Sequence, residues 1–143
     1  MEEVVLNTGH TAWMLISTGL VLLMIPGLAL FYGGMVRVKS LLNMMMMSFG
    51  ALALVFVIWI AVGFSLVFGD SVGDRGLIGN ANDFLFLKGL DNSSALIGEI
   101  PAAVFIAFQG LFAAITVALI SGSIADRAKF GAWMIFAGTW VTL

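Results

Sequence analysis

The sequence predicts an all-α membrane protein, and two observations carry that reading. Asp, Glu, Lys and Arg are absent from Val4 to Val36, from Ser40 to Gly69 and from Ile100 to Ala125. Each stretch is long enough to cross the roughly 30 Å hydrocarbon layer as a helix, and a charge at the bilayer centre costs at least about 2.5 kcal/mol on insertion scales. The composition agrees: of 143 residues, 62% are hydrophobic and 10% charged, where a soluble domain carries about 25% charged residues.

The first span is expected over about 11–32, which at 1.5 Å per residue gives roughly 33 Å of helix. Glu2 and Glu3 stand where a signal peptide has its basic region, so the segment reads as a retained span. Pro26 removes one backbone donor from it and should bend it. Apolar residues resume at Leu41 and run through Met44 to Met47 as far as Phe68. A second span over 41–68 is long for one bilayer, which implies tilt or an extension beyond the lipid. From 69 to 100 the composition turns to Gly, Asn, Asp and Ser around a short apolar patch, Phe84 to Leu87, an extramembrane loop with room for one short interfacial helix.

A third span follows over 101–125, with Pro101 suited to its first turn and Glu99 to its positive end. The last apolar run, 130–143, amounts to about 21 Å of helix, too short to cross. It is expected to be an incomplete span, so that residues 1–143 read as the N-terminal part of one larger transmembrane domain. Arg37 and Lys39 follow the first span, and Arg127 and Lys129 the third, which puts these cations on one side. Glu2, Glu3, Asp70, Asp74, Asp83, Asp91 and Glu99 fall on the other, with Arg75 and Lys88. The positive-inside rule then places the N-terminus and the loop 69–100 outside a cytoplasmic membrane.

Several functions are disfavoured. A net charge of −2 gives no basic surface for nucleic acid. With no Cys, one His and no clustered carboxylates in the spans, no metal site, no cofactor and no catalytic constellation is expected, so the chain does not read as an enzyme. The four methionines from Met44 point in all directions around a helix and belong to packing. Frequent small residues, among them Gly50, Ala51, Gly110 and Ala114, indicate close helix contact.

The third span holds the most informative face. Phe105, Phe108, Gln109, Phe112 and Thr116 are spaced by three or four residues and share one side. An aromatic stripe ordinarily packs against lipid or core. Gln109 and Thr116 add groups that need partners or water inside a membrane, and this combination suits a narrow pathway in which ring faces hold a desolvated cation.

The first span reads Pro26-Gly27-Leu28-Ala29-Leu30-Phe31-Tyr32-Gly33-Gly34-Met35-Val36-Arg37. The third contains Ala107-Phe108-Gln109-Gly110-Leu111-Phe112-Ala113-Ala114-Ile115-Thr116, and Ser123-Ile124-Ala125-Asp126-Arg127 follows it. In this order the stretches resemble the ammonium transporter family (Amt/MEP/Rh). The resemblance implies a polytopic bundle of about eleven membrane helices in inverted five-helix repeats, assembled as a homotrimer, each protomer conducting ammonium or ammonia through its own pore. It implies that Phe112 closes the outer end of that pore and that Phe108 belongs to an external recruitment site, while Leu28, Phe31 and Tyr32 approach the inner pore. The recruitment tryptophan, the second gate phenylalanine and the paired pore histidines of the family belong to helices beyond Leu143, and His10 is not one of those histidines. The expected function is therefore ammonium transport. An ammonium sensor and a non-conducting structural membrane subunit are the alternatives. A cytoplasmic nitrogen-regulatory protein, meeting loops at Arg37 and Arg127, is a further implied partner.

Overall fold

A computed structural model describes residues 5–74, 76–90, 92 and 94–143, the Asp74 side chain excepted. Glu2, Glu3, Arg75 and Asp91, used above in the charge count, lie outside the described residues.

Helix α1 (Thr8–Met35) starts at Asn7, whose side-chain oxygen accepts from the backbone N–H groups of Gly9 at 3.0 Å and His10 at 3.1 Å. These are two of the donors that a helix start otherwise leaves unpaired. Asn7→Ala should lower stability by about 1 kcal/mol, read as a fall in the thermal midpoint; an unchanged midpoint would show the cap to be dispensable. The helix passes through Pro26 without ending. The cost there is the ladder bond to the Leu22 carbonyl.

Helix α2 (Leu41–Ile58) leads into a π-helical turn, Trp59–Gly63, and then α3 (Phe64–Phe68), so that Val38–Phe68 is one apolar rod of 31 residues. In the widened turn the Phe64 N–H reaches back to the Trp59 carbonyl. The following loop contains two short turns and a hairpin of β1 (Leu96–Ile97) and β2 (Ile100–Pro101), paired antiparallel. Gly98, at φ 59°, supplies the left-handed position that closes the hairpin. The apolar patch Phe84–Leu87 holds a single 3-10 turn, Leu85–Leu87, with Phe86 (φ 52°) and Leu87 (φ 60°) left-handed. At about 1–2 kcal/mol per residue for that conformation, no regular helix propagates.

Helix α4 (Ala102–Ile120) continues as a 3-10 turn over Ser121–Ile124, and α5 (Phe130–Thr142) follows. Two local expectations are corrected here. Pro101 is the N-cap of α4 and pairs in β2 instead of occupying the first turn. Glu99 does not serve the positive end of α4, because its carboxylate lies 2.8 Å from His10 Nδ1 and accepts from Asn7 Nδ2 at 3.3 Å. The Glu99 carbonyl also accepts from the Asn7 N–H, at 2.9 Å. The start of α1 is thus fastened to the hairpin that precedes α4.

Helix α2 packs against α1, α4 and α5, and α1 packs against α4. Their shared core contains Ile25, Met44, Met47, Ala51, Val55, Ala114, Val117, Ala118, Trp133 and Ala137. Ala29, Ala51, Ala114, Ala118 and Ala137 are fully buried, and their short side chains let backbones approach closely where no hydrophobic exclusion drives helices together. Met44 and Met47 face inward and Met46 outward. A second cluster of Trp59, Phe64, Ala102 and Ile106, joined by Phe84 and Phe105, sits where the loop meets α3 and α4.

Candidate functional site

The aromatic face of α4 divides along its length. Phe105 packs into the second cluster, its ring centroid 5.2 Å from that of Phe68. Phe108 is half-buried against the main core. Its ring meets Phe112 edge to face, with centroids 5.0 Å apart and planes at 70°, an arrangement favoured by the ring quadrupoles. Phe112 itself is 40% exposed, and Thr116 and Leu119 beyond it are exposed as well. This strip of α4 is left uncovered by α1, α2 and α5. Gln109 is half-buried. The Thr116 hydroxyl donates to the Phe112 carbonyl at 2.7 Å, so its need for a partner is met within its own helix.

At the other end of α1, Leu28 and Tyr32 pack against the same core that receives Phe108. The Tyr32 hydroxyl donates to the Leu119 carbonyl at 3.1 Å, and its ring rests on Gly122, where an added Cβ would stand 2.7 Å from Cζ. Phe31 is 63% exposed, with its ring 5.8 Å from that of Tyr32. Phe31, Tyr32, Met35, Ala125 and Asp126 line a cavity of about 370 Å³ between the ends of α1 and α4. The predicted residues therefore form two groups, Phe108 with Phe112 and Leu28 with Phe31 and Tyr32. Among the described residues no three His, Asp or Glu side chains gather to hold a metal ion.

Sequence reasoning passed over Trp59. Its indole is buried, its Nε1–H donates to the Ile106 carbonyl at 3.1 Å, and it lies against Gly110. The available signal was an indole in an otherwise apolar span, which must find an acceptor when buried.

Three long apolar helices joined through small residues, with a paired aromatic face on the third, define a multi-pass α-helical membrane protein. Comparison with known proteins narrows this. A profile of the Ammonium Transporter Family matches residues 12–143, and the chain belongs to that family. It is 54% identical to the ammonium transporter of Mycobacterium tuberculosis (strain ATCC 25618 / H37Rv), the match covering 94% of this chain and 31% of the relative. To the ammonium transporter of Aquifex aeolicus (strain VF5) it is 48% identical over 97% of this chain and 32% of the relative. Among solved structures, Saccharomyces cerevisiae Mep2 superposes with a TM-score of 0.81 at 29% identity, covering 96% of this chain and 30% of that one. Candida albicans Mep2 gives 0.78 at 31% identity, with 96% and 30% covered. The chain thus spans about a third of the length of the curated relatives it matches.

Proposed function

We propose that this chain forms part of a transporter that moves ammonium or ammonia across the cytoplasmic membrane, and is not an enzyme. The observation that carries this reading is the Phe108–Phe112 pair, packed ring against ring on a strip of α4 that its own neighbours leave open. Phe108 takes part in recruiting the cation from outside, and Phe112 closes the outer end of a narrow apolar pore. An aromatic face attracts a desolvated cation by about 2 kcal/mol or more, while the same apolar ring gives a hydrated ion nothing to replace its water. The gate therefore favours a small, weakly hydrated cation that sheds its shell.

Leu28, Phe31 and Tyr32 approach the inner end of the pathway. The basic residues Arg37, Lys39, Arg127 and Lys129 support a cytoplasmic position for the connections after α1 and α4, with the N-terminus and residues 69–100 outside. The two cytoplasmic connections offer surface to a nitrogen-regulatory protein. The outward apolar face of α1, with Trp13, Leu20 and Leu23 exposed, offers further membrane contact within a homotrimer.

Phe112→Asp in the full-length protein should cut methylammonium uptake about tenfold or more, the effect of some 1.4 kcal/mol, at equal protein level in the membrane. Uptake at the wild-type rate would remove Phe112 from the gate.

A further inference from the structure

We propose that Trp59 is a positioning residue for the Phe108–Phe112 gate, acting on it through the backbone of α4. The inference rests on the transport reading above. Two contacts fix α4 against the indole. The Nε1–H donates to the Ile106 carbonyl at 3.1 Å in a buried setting, although that carbonyl already faces the Gly110 N–H in the helix ladder. The indole therefore uses a second lone pair and holds α4 at one height. Gly110 supplies the second contact. A Cβ there would stand 2.7 Å from Trp59 Cδ1 and 2.9 Å from Nε1, so the ring lies directly on the helix backbone.

Helical geometry then sets the direction of the effect. At about 100° per residue, Phe108 and Phe112 each lie about 160° around the axis from Gly110, one to either side of the opposite pole. Trp59 stands behind the helix and the gate rings stand in front of it. Anything that thickens the rear contact moves the rings forward. Trp59 is itself braced: its ring meets Phe64 edge to face at 5.8 Å and Phe68 at 6.4 Å, and it opens the π-helical turn between α2 and α3. Only glycine at position 110 admits the indole this closely.

Gly110→Ala forces the contact from 2.7 Å toward the ordinary carbon separation of about 3.5–4.0 Å, so α4 moves forward by roughly 1 Å. A narrowed gate rejects the larger ion more strongly. Uptake of ammonium and methylammonium by the full-length protein, at matched membrane levels, should show the ammonium preference of Gly110→Ala raised about tenfold, the discrimination typical of one methylene-sized group. Trp59→Phe keeps a ring but lacks the donor, and should lower that preference about two- to tenfold by freeing α4. Adding Trp59→Phe to Gly110→Ala should return the preference toward wild type. A purely structural role would lower both fluxes together and leave their ratio unchanged. Should Gly110→Ala fail to accumulate, the ratio for Trp59→Phe decides. Phe112→Ala separates the two levels of the argument. If it alters the ratio while Gly110→Ala and Trp59→Phe do not, the positioning role is wrong; if Phe112→Ala changes neither flux nor ratio, the transport reading itself falls.

Discussion

Trp133→Ala is expected to lower the stability of the bundle by about 3 kcal/mol. Trp133 is 1% exposed and joins α5 to α2, its Nε1–H donating to the Met47 carbonyl at 2.9 Å. A second point of attachment lies beside it, where Gly50 leaves room for the Phe130 ring and the Met134 sulfur. In lipid the loss is of packing contacts and one hydrogen bond, because acyl chains are as apolar as the side chain removed. Truncation leaves a void that flanking residues of two helices must collapse to fill. The Met47 carbonyl keeps its ladder partner, so the hydrogen bond accounts for the smaller part, and Trp133→Phe should cost only about 1 kcal/mol. Unfolding of the full-length protein in mixed detergent micelles measures both. Equal midpoints for wild type and Trp133→Ala would show that α5 is held to α2 by other contacts.

Gly79→Ala should have the largest local effect, detaching the loop from the end of α3. An added Cβ would stand 2.5 Å from the Ser65 carbonyl oxygen and 2.8 Å from that of Leu66, and backbone atoms have no rotamer by which to withdraw. The contact lies at the centre of a dense set of bonds. The Gly79 N–H donates to the Leu66 carbonyl at 2.7 Å, the buried Ser65 hydroxyl donates to the Asn80 carbonyl at 2.8 Å, and the Phe84 N–H donates to Ser65 Oγ at 2.9 Å. The Asp83 carboxylate accepts from the Asp70 N–H at 2.7 Å. Relieving the overlap requires giving up several of these together, a cost of about 2 kcal/mol or more. Limited proteolysis should cut the segment from Asp70 to Leu90 faster in the variant, with the helices still protected. Gly131→Ala, where an added Cβ meets nothing within 4 Å, is the matched control. Equal cleavage of wild type and Gly79→Ala would show that the loop is secured elsewhere.

The helices were legible in the sequence because lipid tolerates so little. Where no charge appears over twenty or more residues, a membrane helix is the structure that satisfies every backbone group, and the runs of α1, α2 with α3, and α4 follow from that. Their ends were less legible, being set by single bonds. Asn7 starts α1 before Thr11 by capping Gly9 and His10, and Glu99 turns to His10 instead of α4 because the hairpin carries it there. The aromatic spacing on α4 likewise fixed a direction but not a neighbour. Phe105 and Phe112 lie seven residues apart on nearly the same line, yet the first packs against the Phe68 ring of α3 and the second is open, because α3 reaches only the height of Phe105. The Trp59–Gly110 contact joins residues far apart in the chain, and no local pattern announces it.

The π-helical turn takes up one residue of chain without disturbing the faces beyond it. A turn of this kind holds one residue more than an α-turn, so everything after Gly63 is rotated by about 100° relative to an uninterrupted helix from Leu41. Deleting one residue between Trp59 and Gly63 would let the turn close to ordinary α-helical spacing with Ser65 still directed at Asn80, because the lost residue and the lost offset cancel, whereas deleting one from the regular helix before Trp59 would swing Ser65 away and undock the loop. Residues added between Val72 and Ile78 would only enlarge a surface bend. Length changes that survive in nature should therefore gather in the bend or in the turn itself and spare the regular helix on either side of it.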